Sequence, residues 1–132
     1  MRLVLLFFLF VFGSQLKASD KVDFVKDVQP ILKQNCYKCH YDKKKKGDFS
    51  FLTRESVLKG GETAKDKAVI PGNSKESVMI KLILSKDDTE YMPPKGPRLT
   101  EAEVEILKKW IDQNVPMEET SDKAEPKKEK AK

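Results

Sequence analysis

The sequence predicts a small all-α domain, and three observations predict it. Apolar residues recur at helical spacing in three separate stretches, each stretch is bounded by helix-start or helix-stop residues, and no run sustains the alternation of a half-buried strand. Phe24, Val25, Val28, Ile31 and Leu32 fall on one face of a first helix, which Pro30 is expected to kink or restart. Val78, Met79, Leu82 and Ile83 form the face of a second, between Ser74 and Lys86, with Ser74 after Pro71-Gly72-Asn73 as its expected cap. Thr100 and Glu103 are spaced as a capping box for a third, on which Val104, Leu107 and Ile111 line up beside Ile106 and Trp110. That helix is expected to end near Asn114, before Pro116. Only Asp48-Phe49-Ser50-Phe51-Leu52 alternates, briefly enough for an extended segment or a wall-forming loop.

The chemistry sits just beyond the first helix. The chain has two cysteines and one histidine, and all three lie in Cys36-Tyr37-Lys38-Cys39-His40. Thiols three positions apart can add as thioethers to the two vinyl groups of haem, and the adjacent imidazole is then held beneath the iron as axial ligand. One covalent haem c per chain is therefore expected. A redox disulfide would use the same thiols, but it normally opens a helix after a strand in a βαβ context, which is not seen here. Structural zinc would need about four ligands, so a carboxylate would have to join these three.

The ends of the chain bear on location. Met1-Arg2, the ten apolar residues Leu3 to Phe12 and the small-residue exit to Ala18-Ser19 read as a secretory signal, residues 1–18. Ten apolar residues fall short of the roughly twenty needed to span a bilayer, although retention as an anchor stays open. No cysteine lies near the exit to take a lipid. The mature protein is expected to be periplasmic or otherwise exported, without stable membrane insertion. Residues 118–132 mix acidic and basic groups with no aromatic and read as a solvated tail, leaving 19–117 as the single domain. Loss of Arg2 and Lys17 leaves 24 basic against 21 acidic residues, a net charge of +3 rather than +5. With no basic helix bearing base-reading residues, and no stacking platform, no nucleic-acid partner is expected. A domain of about a hundred residues is near the lower limit for a self-sufficient core, and a large apolar cofactor would supplement it.

Taken in order, Val28-Gln29-Pro30-Ile31-Leu32, the Cys36–His40 pentapeptide, Lys59-Gly60-Gly61, Val69-Ile70-Pro71-Gly72, Ser77, Met92-Pro93-Pro94-Lys95, Leu99-Thr100 and Lys109-Trp110-Ile111-Asp112 resemble the planctomycete-type cytochrome c domain over residues 22 to 115. The pentapeptide is common to all c-type cytochromes; the Pro-Gly, Met-Pro-Pro and Trp-Ile elements narrow the match. The resemblance implies a class I cytochrome c fold with three main helices around the haem, His40 as proximal ligand, Met92 as distal ligand, and Pro71 and Gly72 lining the haem pocket. The chain departs from the family pattern at Lys43–Lys46 and at Asp48-Phe49-Ser50-Phe51.

A physical argument for Met92 stands beside the resemblance. A thioether aimed at iron needs a still backbone, and Pro93 and Pro94 stiffen the chain after Met92 while removing two amide donors. Met79, on the apolar face of the second helix, reads as core, and Met117 lies beyond Pro116 at the frayed domain end. Trp110 reads as core packing against the first helix. Nothing in the chain supplies a nucleophile in a substrate pocket, paired catalytic carboxylates or a second metal site, so no enzyme is expected. The expected function is single-electron carriage between redox protein partners, with Lys43–Lys46 able to steer an acidic docking surface. Two alternatives stay open: a haem-based sensor or ligand-binding module, and a haem docking subunit of a larger oxidoreductase.

Overall fold

The computed structural model describes residues 20–42 and 44–118. The expected signal peptide, most of the charged tail and Lys43 lie outside the described residues. Among the described residues five α-helices follow one another: α1 (Gln29–Asn35), α2 (Tyr37–His40), α3 (Arg54–Lys59), α4 (Val78–Leu84) and α5 (Glu101–Asp112). Extended structure among the described residues is confined to a two-residue segment at Lys44–Lys45 and isolated bridges. The all-α expectation holds.

The first apolar stretch is two pieces, divided where Pro30 requires it. Phe24–Val28 form a π-helical turn, started by the Asp23 carboxylate accepting from the Lys26 amide, and α1 restarts with Pro30 in its first turn, where the missing N–H has no intrahelical role. Phe24, Val28, Ile31 and Leu32 are buried as expected, but Val25 is 41% exposed and leaves the apolar face. A core neighbour of Phe24 comes from the last helix of the domain. The α5 side chain Trp110 is fully buried and meets the Phe24 ring at 5.9 Å between centroids, in the packing role expected of it. Its indole N–H donates to the Pro116 carbonyl at 2.9 Å.

Helix α5 has the capping box read from the sequence, with the Thr100 hydroxyl accepting from the Glu103 amide and the Glu103 carboxylate accepting from the Thr100 amide. Beyond it, Asn114 and Val115 adopt positive φ, and the Arg54 guanidinium donates to both of their carbonyls. Met117 packs, partly buried, against the core instead of fraying away from it.

The second expected helix starts later than expected. Ser77, not Ser74, precedes α4, because the Ser74 hydroxyl and amide are both bound by the Asp112 carboxylate, at 2.9 and 2.8 Å. The first free amides of α4, on Val78 and Met79, donate instead to the Lys67 and Ala68 carbonyls, each at 3.0 Å. Its buried face is Met79, Ile80 and Ile83, rather than Val78 and Leu82. Helix α3 has no counterpart in the expectation. A Thr53/Ser56 capping box starts it, and it buries the single residue Val57.

Candidate functional site

Cys36 caps the C-terminus of α1 and the N-terminus of α2, so the chain turns there without a break. Its amide donates to Leu32 O at 2.8 Å, and its own carbonyl accepts from the Cys39 and His40 amides at 3.1 and 3.0 Å. One helical turn thus holds both thiols and the imidazole, with Cys36 just past a helix end as the sequence indicates. Both cysteines are unpaired and half-buried. Burial, and then the neighbouring Cys39, push the Cys36 thiol up to about 12.

This donor set discriminates among the chemistries open to it. A raised thiol pKa keeps Cys36 protonated, whereas a redox dithiol acts as thiolate. Among the described residues, no three His, Cys, Asp or Glu side chains converge on a point that could hold a metal ion. Cys36 instead packs against the hydrophobic core, in surroundings suited to an apolar thioether.

The histidine is oriented by a residue that no sequence motif names. His40 Nδ1 lies 3.2 Å from the Phe49 carbonyl oxygen, and with the proton on Nδ1 this bond leaves the Nε2 lone pair for a metal. The segment that supplies this carbonyl is fastened to the motif, since the Phe51 amide donates to His40 O at 2.8 Å. Phe49 and Phe51 stand edge-on to the imidazole, with centroids 5.5 and 6.4 Å away, and meet each other at 4.8 Å. The briefly alternating stretch is therefore a wall-forming loop beside the histidine. Tyr37 stacks on Tyr41 at 4.3 Å on the same turn.

The other expected site residues lie on separate segments. Pro71 and Gly72 form an exposed turn held to the end of α5, where the Gly72 amide donates to Ile111 O at 2.8 Å. Gly72 has φ +77°, and a Cβ there would come within 3.2 Å of Asn114 Oδ1. Met92 follows the buried Tyr91 and is 38% exposed, with its amide donating to Leu82 O at 3.2 Å. Met79 is in the core, as expected. The hydrogen bonds and ring contacts of His40 among the described residues involve neither Met92 nor the Pro71–Gly72 turn.

An all-helical chain with two free thiols and an oriented imidazole on one turn has the make-up of a c-type cytochrome domain, and the residues present fit a covalently held haem. Residues 36–96 match the family model described as Planctomycete cytochrome C. The match supports a planctomycete-type cytochrome c domain over that span, and a domain of this family suggests haem binding and electron transfer. The matched span takes in the pentapeptide, the Pro71–Gly72 turn and Met92, and stops short of α5. No curated protein and no solved structure matches the chain. Among the described residues, no helix is long and apolar enough to cross a membrane.

Proposed function

We propose that this protein is a monohaem c-type cytochrome that carries single electrons between redox protein partners outside the cytoplasm and turns over no substrate. The reading is carried by the bond between His40 Nδ1 and the Phe49 carbonyl, which presents Nε2 from the same turn that bears Cys36 and Cys39. Bound there, haem supplies a one-electron iron couple, which a thioether on the open side shifts towards the reduced state. Cys36 and Cys39 attach it, and His40 ligates the iron. The Phe49 carbonyl holds the imidazole and raises its basicity, while the Phe49 and Phe51 rings keep water from that side.

The distal ligand in this reading is Met92. Of the described methionines, Met79 is buried in the core, Met117 is packed against it, and Met92 alone is exposed, on a segment stiffened by Pro93 and Pro94. The Pro71–Gly72 turn is assigned to the pocket lining on the family resemblance. Exposed Lys38, Lys45 and Lys46 flank the attachment turn and favour an acidic docking surface on the partners, while export rests on the signal-like start of the chain.

Paired methionine variants test the assignment. Met92→Ala should abolish the methionine-to-iron charge-transfer band, lower the midpoint potential and let carbon monoxide bind the reduced protein. Met79→Ala should leave the band in place and cost about 2–5 kcal/mol as a core truncation. The opposite pattern overturns the ligand assignment, and a wild-type protein that lacks the band and binds carbon monoxide readily favours a sensor module.

A further inference from the structure

We propose that Arg98 is a positioning residue for Met92, acting by closing the base of the loop that carries it; the inference rests on Met92 as distal ligand. The loop Met92–Pro97 departs from and returns to the same place, the C-terminal end of α4. At its start, Met92 N–H donates to Leu82 O at 3.2 Å and Tyr91 N–H donates to Asp87 O at 2.9 Å. At its end, Arg98 Nη1 donates to Ser85 O at 2.7 Å. The two ends are joined directly. The Arg98 guanidinium carbon lies 3.9 Å from the centroid of the Tyr91 ring, and Tyr91 Oη accepts from the Leu99 amide at 3.1 Å.

Tyr91 is buried and immediately precedes Met92, so a side chain held over its ring acts on the backbone that aims the thioether. Within the loop, Pro93, Pro94 and Pro97 restrict three φ angles. Gly96, at φ +102° with no neighbouring atom near its missing Cβ, is the permissive point. A stiff loop on a fixed base holds its tip in place, whereas the same loop on a loose base does not. The ion pair of Arg98 with Asp88, at 2.8 Å, adds little, because the Asp88 side chain is 92% exposed. The cation–π contact with Tyr91 and the charge-assisted bond to Ser85 O carry the clamp. Lysine supplies the charge without the plane.

An external ligand reaches the iron only in the fraction of molecules whose thioether has left, so its apparent affinity reports how firmly the loop is held. The probe is imidazole, titrated into the oxidised, haem-loaded protein. Arg98→Ala is expected to bind it about tenfold more tightly than wild type, Arg98→Lys nearly as tightly as the alanine variant, and Tyr91→Phe, which keeps the ring contact but loses the bond to Leu99, to fall between. A role in stability alone would lower the melting temperature of Arg98→Ala and leave its imidazole affinity at the wild-type value, which overturns the proposal. Met92→Ala separates the two levels. If it retains the charge-transfer band, the ligand assignment fails; if it loses the band while both Arg98 variants bind imidazole like wild type, the clamp alone fails.

Discussion

Replacing Trp110 by alanine is expected to be among the most damaging single changes in the domain, although no role in electron transfer is assigned to this residue. It is the largest fully buried side chain, it packs on Phe24, and its N–H holds the Pro116 carbonyl. Truncating a buried tryptophan costs about 3–5 kcal/mol, the sum of lost transfer energy and a residual cavity. Total stability for such a domain is of order 5–15 kcal/mol. At about 4–8 °C per kcal/mol for a domain near this size, the melting temperature should fall by roughly 12–40 °C. Trp110→Phe keeps part of the packing but leaves Pro116 O without its donor, so it should lose about 1–3 kcal/mol. Thermal melts of the haem-loaded variants, followed by far-ultraviolet circular dichroism, measure both. A fall of under about 5 °C for the alanine variant would refute the claim that this contact ties the two ends of the chain into one core.

The remaining expectations concern the turn before α4 and one surface carboxylate. Asp112→Ala leaves the buried Ser74 hydroxyl and amide without their acceptor and should cost about 1–2 kcal/mol in denaturant titration, at the low end because water reaches the Asp112 side. The same loss should follow Ser74→Ala less steeply, since the amide bond remains. Bonds from the Thr89 hydroxyl and amide hold Asp87 below its ordinary value of 3.8. A lowered folded-state value stabilises the fold above the unfolded value, and the contribution is lost as pH falls through the folded value. Thr89→Val should therefore raise the Asp87 titration towards the ordinary value in an NMR pH series; an unchanged midpoint would show that the hydroxyl does not set it.

The parts of the fold that were legible in the sequence are those with a local signal. Helix α5 has its apolar face, its Thr100/Glu103 box and its Pro116 stop within one continuous stretch, and all three recur in the structure. The Cys36–His40 turn was legible for the same reason. Helix α4 was misplaced at its start because the fate of the Ser74 hydroxyl is decided by Asp112, thirty-eight positions away. Helix α3 was missed because six residues with one buried side chain carry no periodicity. Val25 shares the spacing of its buried neighbours but sits in a π-helical turn, whose i→i+5 bonding puts more residues in each turn than the roughly 3.6 on which the face was drawn. In the site, the Phe49 wall was foreshadowed by its alternation, but a backbone carbonyl aimed at His40 has no sequence signature. The Arg98–Tyr91 contact likewise joins residues whose types alone mark nothing.

The central claim is covalent attachment of one haem through Cys36 and Cys39, and a pyridine haemochrome assay against protein concentration tests it most directly. The account predicts a c-type spectrum with one haem per chain, and a Cys36→Ala/Cys39→Ala double variant whose denatured band shows no haem-peroxidase staining. A double variant that still stains on a denaturing gel, or a wild-type chain that releases its haem into acidified organic solvent, would contradict it.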